Sequence, residues 1–281
     1  MILLLAAAAA ALPALDCSPT PAWRESGLCA AQDDAARREK LPAPGVQWKV
    51  SEASATRAPW VDANGWRFLR NPHQAYLYDL PPGAAALAAA EAFAWQANAL
   101  LRIDSADREP FARLLAFLRR IPAPPLPDRV NIGLIDDGSP AAGEAMNLLA
   151  RRNLLFRLVS SPDPALDLNL HLGPQAADPS AFAAQVRRRL SDEKRLLRIY
   201  GSDVVLGRLT GDAARARLHL LNYGGARIEG LRVRVLGAYP KGVLAAAGHE
   251  RAALTDYAVQ TGATEFTIPE MSVYAVVDLT R

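Results

Sequence analysis

Cysteine is nearly absent from this chain of 281 residues. The only two, Cys17 and Cys29, lie near the N-terminus. Neither has a histidine close to it in sequence, and no third or fourth ligand type is close by. This disfavours both a cysteine nucleophile and a zinc site. In an oxidising compartment the simplest interpretation is one local disulfide, and the alternative is two free thiols in a mobile leader.

Histidine is also scarce and scattered. The four residues His73, His171, His219 and His249 form no His-x-His or His-x-x-x-His pair, so no metal site is predicted. The chain has no Gly-x-Gly-x-x-Gly or Gly-x-x-x-x-Gly-Lys loop, and it has no Gly-x-Ser-x-Gly elbow. The sequence therefore predicts no cofactor and does not support a hydrolase triad.

The longest hydrophobic run lies within residues 1–14, which are rich in Leu and Ala. This run is shorter than the roughly 20 residues that a membrane span needs. It fits a signal peptide cut near Ala14, although it lacks a leading Lys or Arg. The alternative is a buried N-terminal helix. Asp16 stands where a lipoprotein signal needs a small residue. We therefore expect a periplasmic or secreted protein with no integral membrane segment in its mature chain.

The net charge is only +3, and arginine greatly outnumbers lysine. The arginines alternate with apolar residues along predicted strands and helices, and they do not cluster with aromatic residues. This pattern favours a solvated basic surface, so nucleic acid is not an expected partner.

The first half of the chain divides by composition. Residues 15–45 are rich in Ala, Pro and charge, which predicts a flexible leader. Residues 46–121 predict an α/β segment with short strands at Val46–Val50 and Tyr76–Tyr78 and two helices, over 84–101 and 107–120. The proline-rich stretch 121–128 is a predicted linker and domain boundary.

Residues 129–195 alternate between strand and helix patterns. Strands are predicted at 130–135, 154–159 and 167–172. Ser139-Pro140 and Asp178-Pro179 are each typical of a helix start. Together these patterns predict a small parallel α/β layer.

Residues 196–281 contain six segments with strand character and no helix between them, at 204–209, 215–222, 230–236, 252–260, 264–268 and 273–279. Leu231, Val233 and Val235 alternate with Arg232 and Arg234, as expected for a strand with one buried face. The predicted fold class is α/β followed by all-β: a parallel-sheet layer and then an antiparallel β-sandwich.

One loop concentrates aromatic residues in a chain whose aromatic content is only 7%. Flat rings beside hydroxyl-binding polar groups are what a sugar site uses. The alternative is a packed core in which the tryptophans anchor an irregular loop. The predicted ligand-binding residues are Trp60, Asp62, Asn64, Trp66, Arg67 and Tyr76.

Three carboxylates are candidate catalytic groups. Asp136 follows a predicted strand, where ligands gather in open α/β sheets. The alternative is a turn with a helix cap, which we favour. Glu91 lies in an apolar helix, where a raised pKa would suit a glycosidase acid. A structural pair with Arg67 or Arg70 is the favoured alternative. Asp62 is the third candidate.

The order of these parts resembles a region of bacterial β-galactosidase-like glycoside hydrolases, in which an amidotransferase-like, flavodoxin-type domain follows the barrel and a small β-domain comes next. The resemblance is based on the strand 130–135, the turn 136–139, the helix with Glu144 and the strands at Leu154 and Asp167. The domain lacks the amidotransferase cysteine, so the resemblance does not imply glutaminase activity. Residues 46–121 are too few for a full barrel of about 250 residues, and at most they resemble its last strand–helix units. No catalytic residue is carried over.

The sequence thus favours an exported, carbohydrate-associated protein that is non-catalytic or binding, with carbohydrate as its partner. One alternative is a glycoside hydrolase using Glu91 with Asp62 or Asp136. Another is a structural module that forms a homo-oligomer.

Overall fold

The structure is a computed structural model that describes residues 12–30, 34–47, 59–122, 126–249 and 251–281. The chain forms two compact units. The first unit comprises Met1–Ala43 and His73–Pro127, and the second comprises Pro44–Pro72 and Asp128–Arg281. The predicted segment 46–121 is therefore divided between the two units.

The secondary structure is mixed. The helices are α1 (Gly65–Arg70), α2 (Ala85–Trp95), α3 (Arg108–Leu118), α4 (Pro140–Ala150) and α5 (Pro179–Lys194). The strands are β1 (Ala14–Leu15), β2 (Glu39–Leu41), β3 (Gly45–Gln47), β4 (Trp60–Asp62), β5 (Tyr76–Asp79), β6 (Ala99–Arg102), β7 (Ile132–Ile135), β8 (Phe156–Leu158), β9 (Leu168–His171), β10 (Leu197–Tyr200), β11 (Val205–Gly211), β12 (Arg215–Asn222), β13 (Ile228–Leu236), β14 (Lys241–Ala246), β15 (Thr255–Gln260), β16 (Ala263–Met271) and β17 (Tyr274–Thr280). None of the helices in the described ranges has the length and apolarity needed to cross a bilayer.

The first unit contains a parallel sheet with the strand order β1-β6-β5-β2. Leu15 and Leu41, from the outer strands, are buried, and Cys17 forms a disulfide with Cys29. The prediction that 15–45 is a flexible leader is wrong for the described residues, because β1 and β2 belong to this sheet. The composition of residues 15–45 did not indicate these strands, because each of them is only two or three residues long. Residues 1–11, most of the predicted signal peptide, lie outside the described residues.

The helix predicted over 84–101 is shorter in the structure. α2 ends at Trp95, and Gln96 takes a left-handed conformation with φ 54°. The chain then turns, and Ala99–Arg102 pairs with β5 as the parallel strand β6. A strand buried on both faces has a continuous apolar sequence, so its pattern could not be distinguished from a helix.

The α/β layer of the second unit has the parallel strand order β8-β7-β9, with α4 and α5 packed on it. Both predicted helix starts are confirmed. The Ser139 side chain accepts a hydrogen bond from the Ala142 amide at 3.1 Å, and Asp178 accepts one from the Ala181 amide at 3.0 Å.

The β-region is a sandwich of two antiparallel sheets, with the strand orders β10-β13-β16-β15 and β11-β12-β17-β14. Leu231, Val233 and Val235 point into its core beside residues from the opposite sheet. The predicted fold class, α/β followed by all-β, is therefore confirmed. The strands β10 and β14 were not predicted.

One side chain joins the α/β layer to the sandwich. Asn153 follows α4 with φ 51°, the left-handed conformation expected from its position. Its Nδ2 donates to the Val205 carbonyl at 3.1 Å, and its Oδ1 accepts from the Gly207 amide at 2.8 Å. Asn153 therefore provides hydrogen-bond partners for two backbone groups on the outer edge of β11.

Candidate functional site

The predicted sugar-binding loop runs through β4 into α1, and its tryptophans pack on the α/β layer. Trp60, Trp66 and Leu69 contact the apolar core between β7, α4 and α5. A Cβ atom on Gly143 of α4 would lie 3.0 Å from the Trp66 ring. The absence of a side chain at Gly143 therefore makes room for the indole, and the core-packing alternative accounts for this contact.

A guanidinium group covers one face of each indole. Arg151 lies 4.3 Å from the centroid of the Trp60 ring, and Arg67 lies 4.3 Å from that of Trp66. These distances are within the range of cation–π attraction. Arg67 also donates to the Asn64 side-chain oxygen at 2.9 Å. These contacts occupy ring surface that sugar stacking would need.

Both oxygens of the Asp62 carboxylate accept hydrogen bonds. The Trp60 indole N–H donates to Oδ1 at 3.0 Å, and Gln47 Nε2 donates to Oδ2 at 2.6 Å. Asp62 thus links β4 to β3 by a diagonal contact, because Gln47 pairs in register with Trp60. Asn64 is fully buried at the following turn.

Asp136 lies at the carboxyl end of β7, as the sequence predicts, and it forms a bidentate ion pair with Arg70. The two contacts are 2.7 and 3.0 Å long. Arg70 also donates to the Ser139 carbonyl, and the Gly138 amide donates to Asp136. Arg70, which the sequence suggested as a partner of Glu91, is instead held here. The pair fixes both the turn and the start of α4.

Asp137, the next residue, points to solvent. It accepts a hydrogen bond from the Ser139 amide at 2.9 Å. Hydrogen bonds from the Ser139 backbone and side chain hold the pKa of Asp137 below its usual value. The favoured interpretation of this turn, as a helix cap, agrees with these contacts.

Glu91 and Tyr76 belong to the first unit, whereas the tryptophan loop belongs to the second. Glu91 lies on α2 with no exposed surface. The Tyr78 hydroxyl donates to its Oε2 at 2.7 Å. Tyr76 is 1% exposed on β5. The carboxyl group of Glu91 is therefore a buried, hydrogen-bonded group within this unit.

Titratable groups elsewhere form a structural pair within one sheet. His219 Nδ1 lies 2.6 Å from the Tyr274 hydroxyl. Burial lowers the pKa of His219 well below its ordinary value, and nearby Arg208 and Arg217 act in the same direction. In the described ranges, no group of three or more His, Cys, Asp and Glu side chains is arranged to hold a metal ion.

A polar groove, which the sequence did not predict, lies on the outward face of the sheet β10-β13-β16-β15. The groove has a volume of about 520 Å³. It is lined by residues from three strands, including Gly230, Arg232, Asp256, Gln260, Glu265 and Thr267. Alternation predicted that Arg232 points outward. The groove itself arises only when distant strands pair, so no local signal indicated it.

No protein-family model matches the chain, and no curated protein matches it. Among solved structures, the chain is similar to α-L-fucosidase isoenzyme 2 from Paenibacillus thiaminolyticus. The TM-score is 0.57 at 10% sequence identity, over 76% of this chain and 62% of that chain. The similarity thus spans less than two thirds of the fucosidase, and at this identity it establishes a shared fold.

Two other solved structures have much lower scores. A GH30 endoxylanase from Clostridium papyrosolvens has a TM-score of 0.24 at 10% identity, over 77% of this chain and 60% of that chain. A cycloisomaltooligosaccharide glucanotransferase from Paenibacillus sp. has a TM-score of 0.24 at 12% identity, over 52% of this chain and 27% of that chain. These two similarities carry no argument. The match to the α-L-fucosidase shows a fold shared with one glycoside hydrolase, and the amidotransferase-like resemblance is not shown.

Proposed function

We propose that this chain is an exported, carbohydrate-associated protein that binds saccharide without hydrolysing it. The observation that carries the proposal is the fold shared with an α-L-fucosidase. Proteins that share a fold often catalyse different reactions. The shared fold therefore supports carbohydrate as the class of ligand, and it does not support a particular reaction.

The surroundings of the three candidate carboxylates favour binding over hydrolysis. Glycoside hydrolysis needs two carboxyl groups that reach the same glycosidic bond, about 5 Å apart in retaining enzymes and roughly 6.5–9.5 Å apart in inverting ones. Glu91 is buried against Tyr78, Asp136 is paired with Arg70, and Asp62 is bound on both oxygens. Each of these contacts would have to be broken before the group could act.

Export is supported by the apolar run at residues 1–14 and by the disulfide between Cys17 and Cys29. Fractionation of cells that express the full gene would test it. Recovery in the periplasm or medium with a shortened N-terminus is expected, and recovery of the intact chain in the cytoplasm would contradict it.

Binding of the full chain to an array of glycans, including fucosylated oligosaccharides, tests the proposed function. We expect saturable binding to at least one glycan, with no release of p-nitrophenol from aryl glycosides. Absence of binding across the array would refute the proposal. Release of p-nitrophenol that is lost in Asp136→Asn, but not in a control such as Asp212→Asn, would favour the hydrolase alternative.

A further inference from the structure

We propose that the polar groove on the sandwich binds a neutral oligosaccharide. This inference rests on the proposed function, and it deepens it by naming the site and the class of sugar. The volume of about 520 Å³ lies within the range of about 300–1,000 Å³ found for small-molecule sites in proteins.

One residue that lines the groove has no side chain. Gly230 on β13 has φ +66°, and a Cβ atom placed on it would meet nothing within 4 Å. On the strands around it, outward-facing polar residues stand above the sheet. Most of the residues that line the groove are polar, and Ala258 on β15 is an apolar one, which suits a ligand that presents hydroxyl groups.

Donors and acceptors in the groove are held in place before any ligand arrives. Arg232 forms an ion pair with the Glu265 Oε2 atom. The Arg232 guanidinium also lies 5.7 Å from the Tyr200 ring, within cation–π range. Thr267 pairs in register with Arg232. Such preorganisation reduces the entropy lost on binding.

A neighbouring arginine on the same outward face has unused hydrogen-bonding capacity. Arg234 is two residues from Arg232, and its side chain is 12% exposed. Its Nη1 atom has no hydrogen-bond partner among the described residues, although it is buried. The Arg234 Nε atom is 3.9 Å from Glu265. Arg234 is not among the residues that line the groove, so it borders the site from below and is not one of the groups that a bound sugar would contact.

The charges lining the groove select the class of sugar. One guanidinium, that of Arg232, faces two carboxylates, those of Asp256 and Glu265. The Arg232 charge is balanced by Glu265, so the lining residues carry one excess negative charge, that of Asp256, and a uronate beside it is unfavourable. A neutral saccharide can donate its hydroxyl protons to the carboxylates and accept from the guanidinium.

Titration calorimetry on the full chain tests the site, with neutral xylo-, malto- and fucosyl-oligosaccharides and with oligogalacturonates. The test variants are Arg232→Ala, which removes a donor, and Ala258→Trp, which fills the groove from an edge strand that accommodates aromatic residues. The matched control is Arg227→Ala. Arg227 forms an equally exposed ion pair with Glu270 next to the same two strands, but it does not line the groove.

Arg232→Ala should retain the fold, because the Arg232 ion pair is exposed. Ala258→Trp should retain it because Ala258 lies on the edge strand β15 and faces the groove. We expect wild type to bind a neutral oligosaccharide more tightly than any uronate. We expect the dissociation constant to rise about tenfold or more in Arg232→Ala and in Ala258→Trp. It should change by less than about twofold in Arg227→Ala.

The possible failures are distinguishable. If wild type binds sugar and both groove variants bind like the control, the groove is not the site and the proposed function stands. Tighter binding of uronates than of neutral sugars would overturn the neutral class. No binding of any saccharide by wild type would overturn this inference together with the proposed function.

Discussion

Adding one methyl group at Gly143 would test whether Trp66 is a core residue. The Cβ atom of Gly143→Ala would lie 3.0 Å from Trp66 Cη2, 3.1 Å from Cζ3 and 3.2 Å from Arg70 Nη1. Alanine in a helix interior is favoured over glycine by about 1 kcal/mol. Overpacking of a filled site costs about 1–3 kcal/mol. Because three atoms of two anchored side chains are too close, we expect overpacking to prevail.

The expected result is a net loss of about 1 kcal/mol in the free energy of unfolding, measured by urea titration with an unchanged slope. The double variant Trp66→Phe/Gly143→Ala is the control, since the smaller ring leaves room for the methyl group. Trp66→Phe also removes a buried indole N–H without a hydrogen-bond partner among the described residues. The cost of Gly143→Ala should be smaller in that background by at least about 0.5 kcal/mol. If Gly143→Ala instead stabilises the protein, the indole is not confined by α4, and its assignment to the core is refuted.

Three further predictions concern stability. Asn153→Ala should lower the free energy of unfolding by about 2–4 kcal/mol, because it leaves two buried backbone groups of β11 unpaired. Asn153→Gly should lower it by nearly as much if those two hydrogen bonds, rather than the left-handed backbone conformation, are responsible. The pKa of His219 is lowered in the fold, so the unfolded chain takes up the proton first as pH falls through about 6.5. The free energy of unfolding should then fall by up to about 1.4 kcal/mol for each pH unit below that value. If the free energy of unfolding of His219→Gln has the same slope against pH between 7.5 and 5.5, His219 is not the source of the pH dependence. Replacing Cys17 and Cys29 by serine should cost about 2–3 kcal/mol, as expected for the short loop of separation 12, and unchanged thermal unfolding would show that the crosslink does not stabilise the first unit.

The strands that the sequence predicted best are those with one buried and one exposed face. Leu231, Val233 and Val235 identified β13 and its orientation because their period is two. β14 escaped prediction because residues 241–246 alternate weakly, with one strongly exposed apolar side chain, Val243. β6 was assigned to a helix because burial on both faces removes the alternation.

The candidate site was harder to predict, since its determinants are distant in sequence. Trp60 and Trp66 were identified as neighbours, but Arg151 and Gly143, which define their surroundings, follow some 75–90 positions later in the chain. A local sequence pattern contains no information about which distant residue will cover a ring. The groove likewise depends on the register of β13, β15 and β16.

The division of the chain into units restricts the order in which it can be assembled. Residues 44–72 belong with residues beyond 128, yet residues 73–127 are synthesised between them. Trp60, Trp66 and Leu69 therefore emerge well before the α4 and β7 residues that cover them. During that interval they are apolar surface available to a chaperone or to another nascent chain. A fragment beginning at residue 128 would show the converse defect, since its α/β core would lack the segment that covers it, and it should be prone to aggregate.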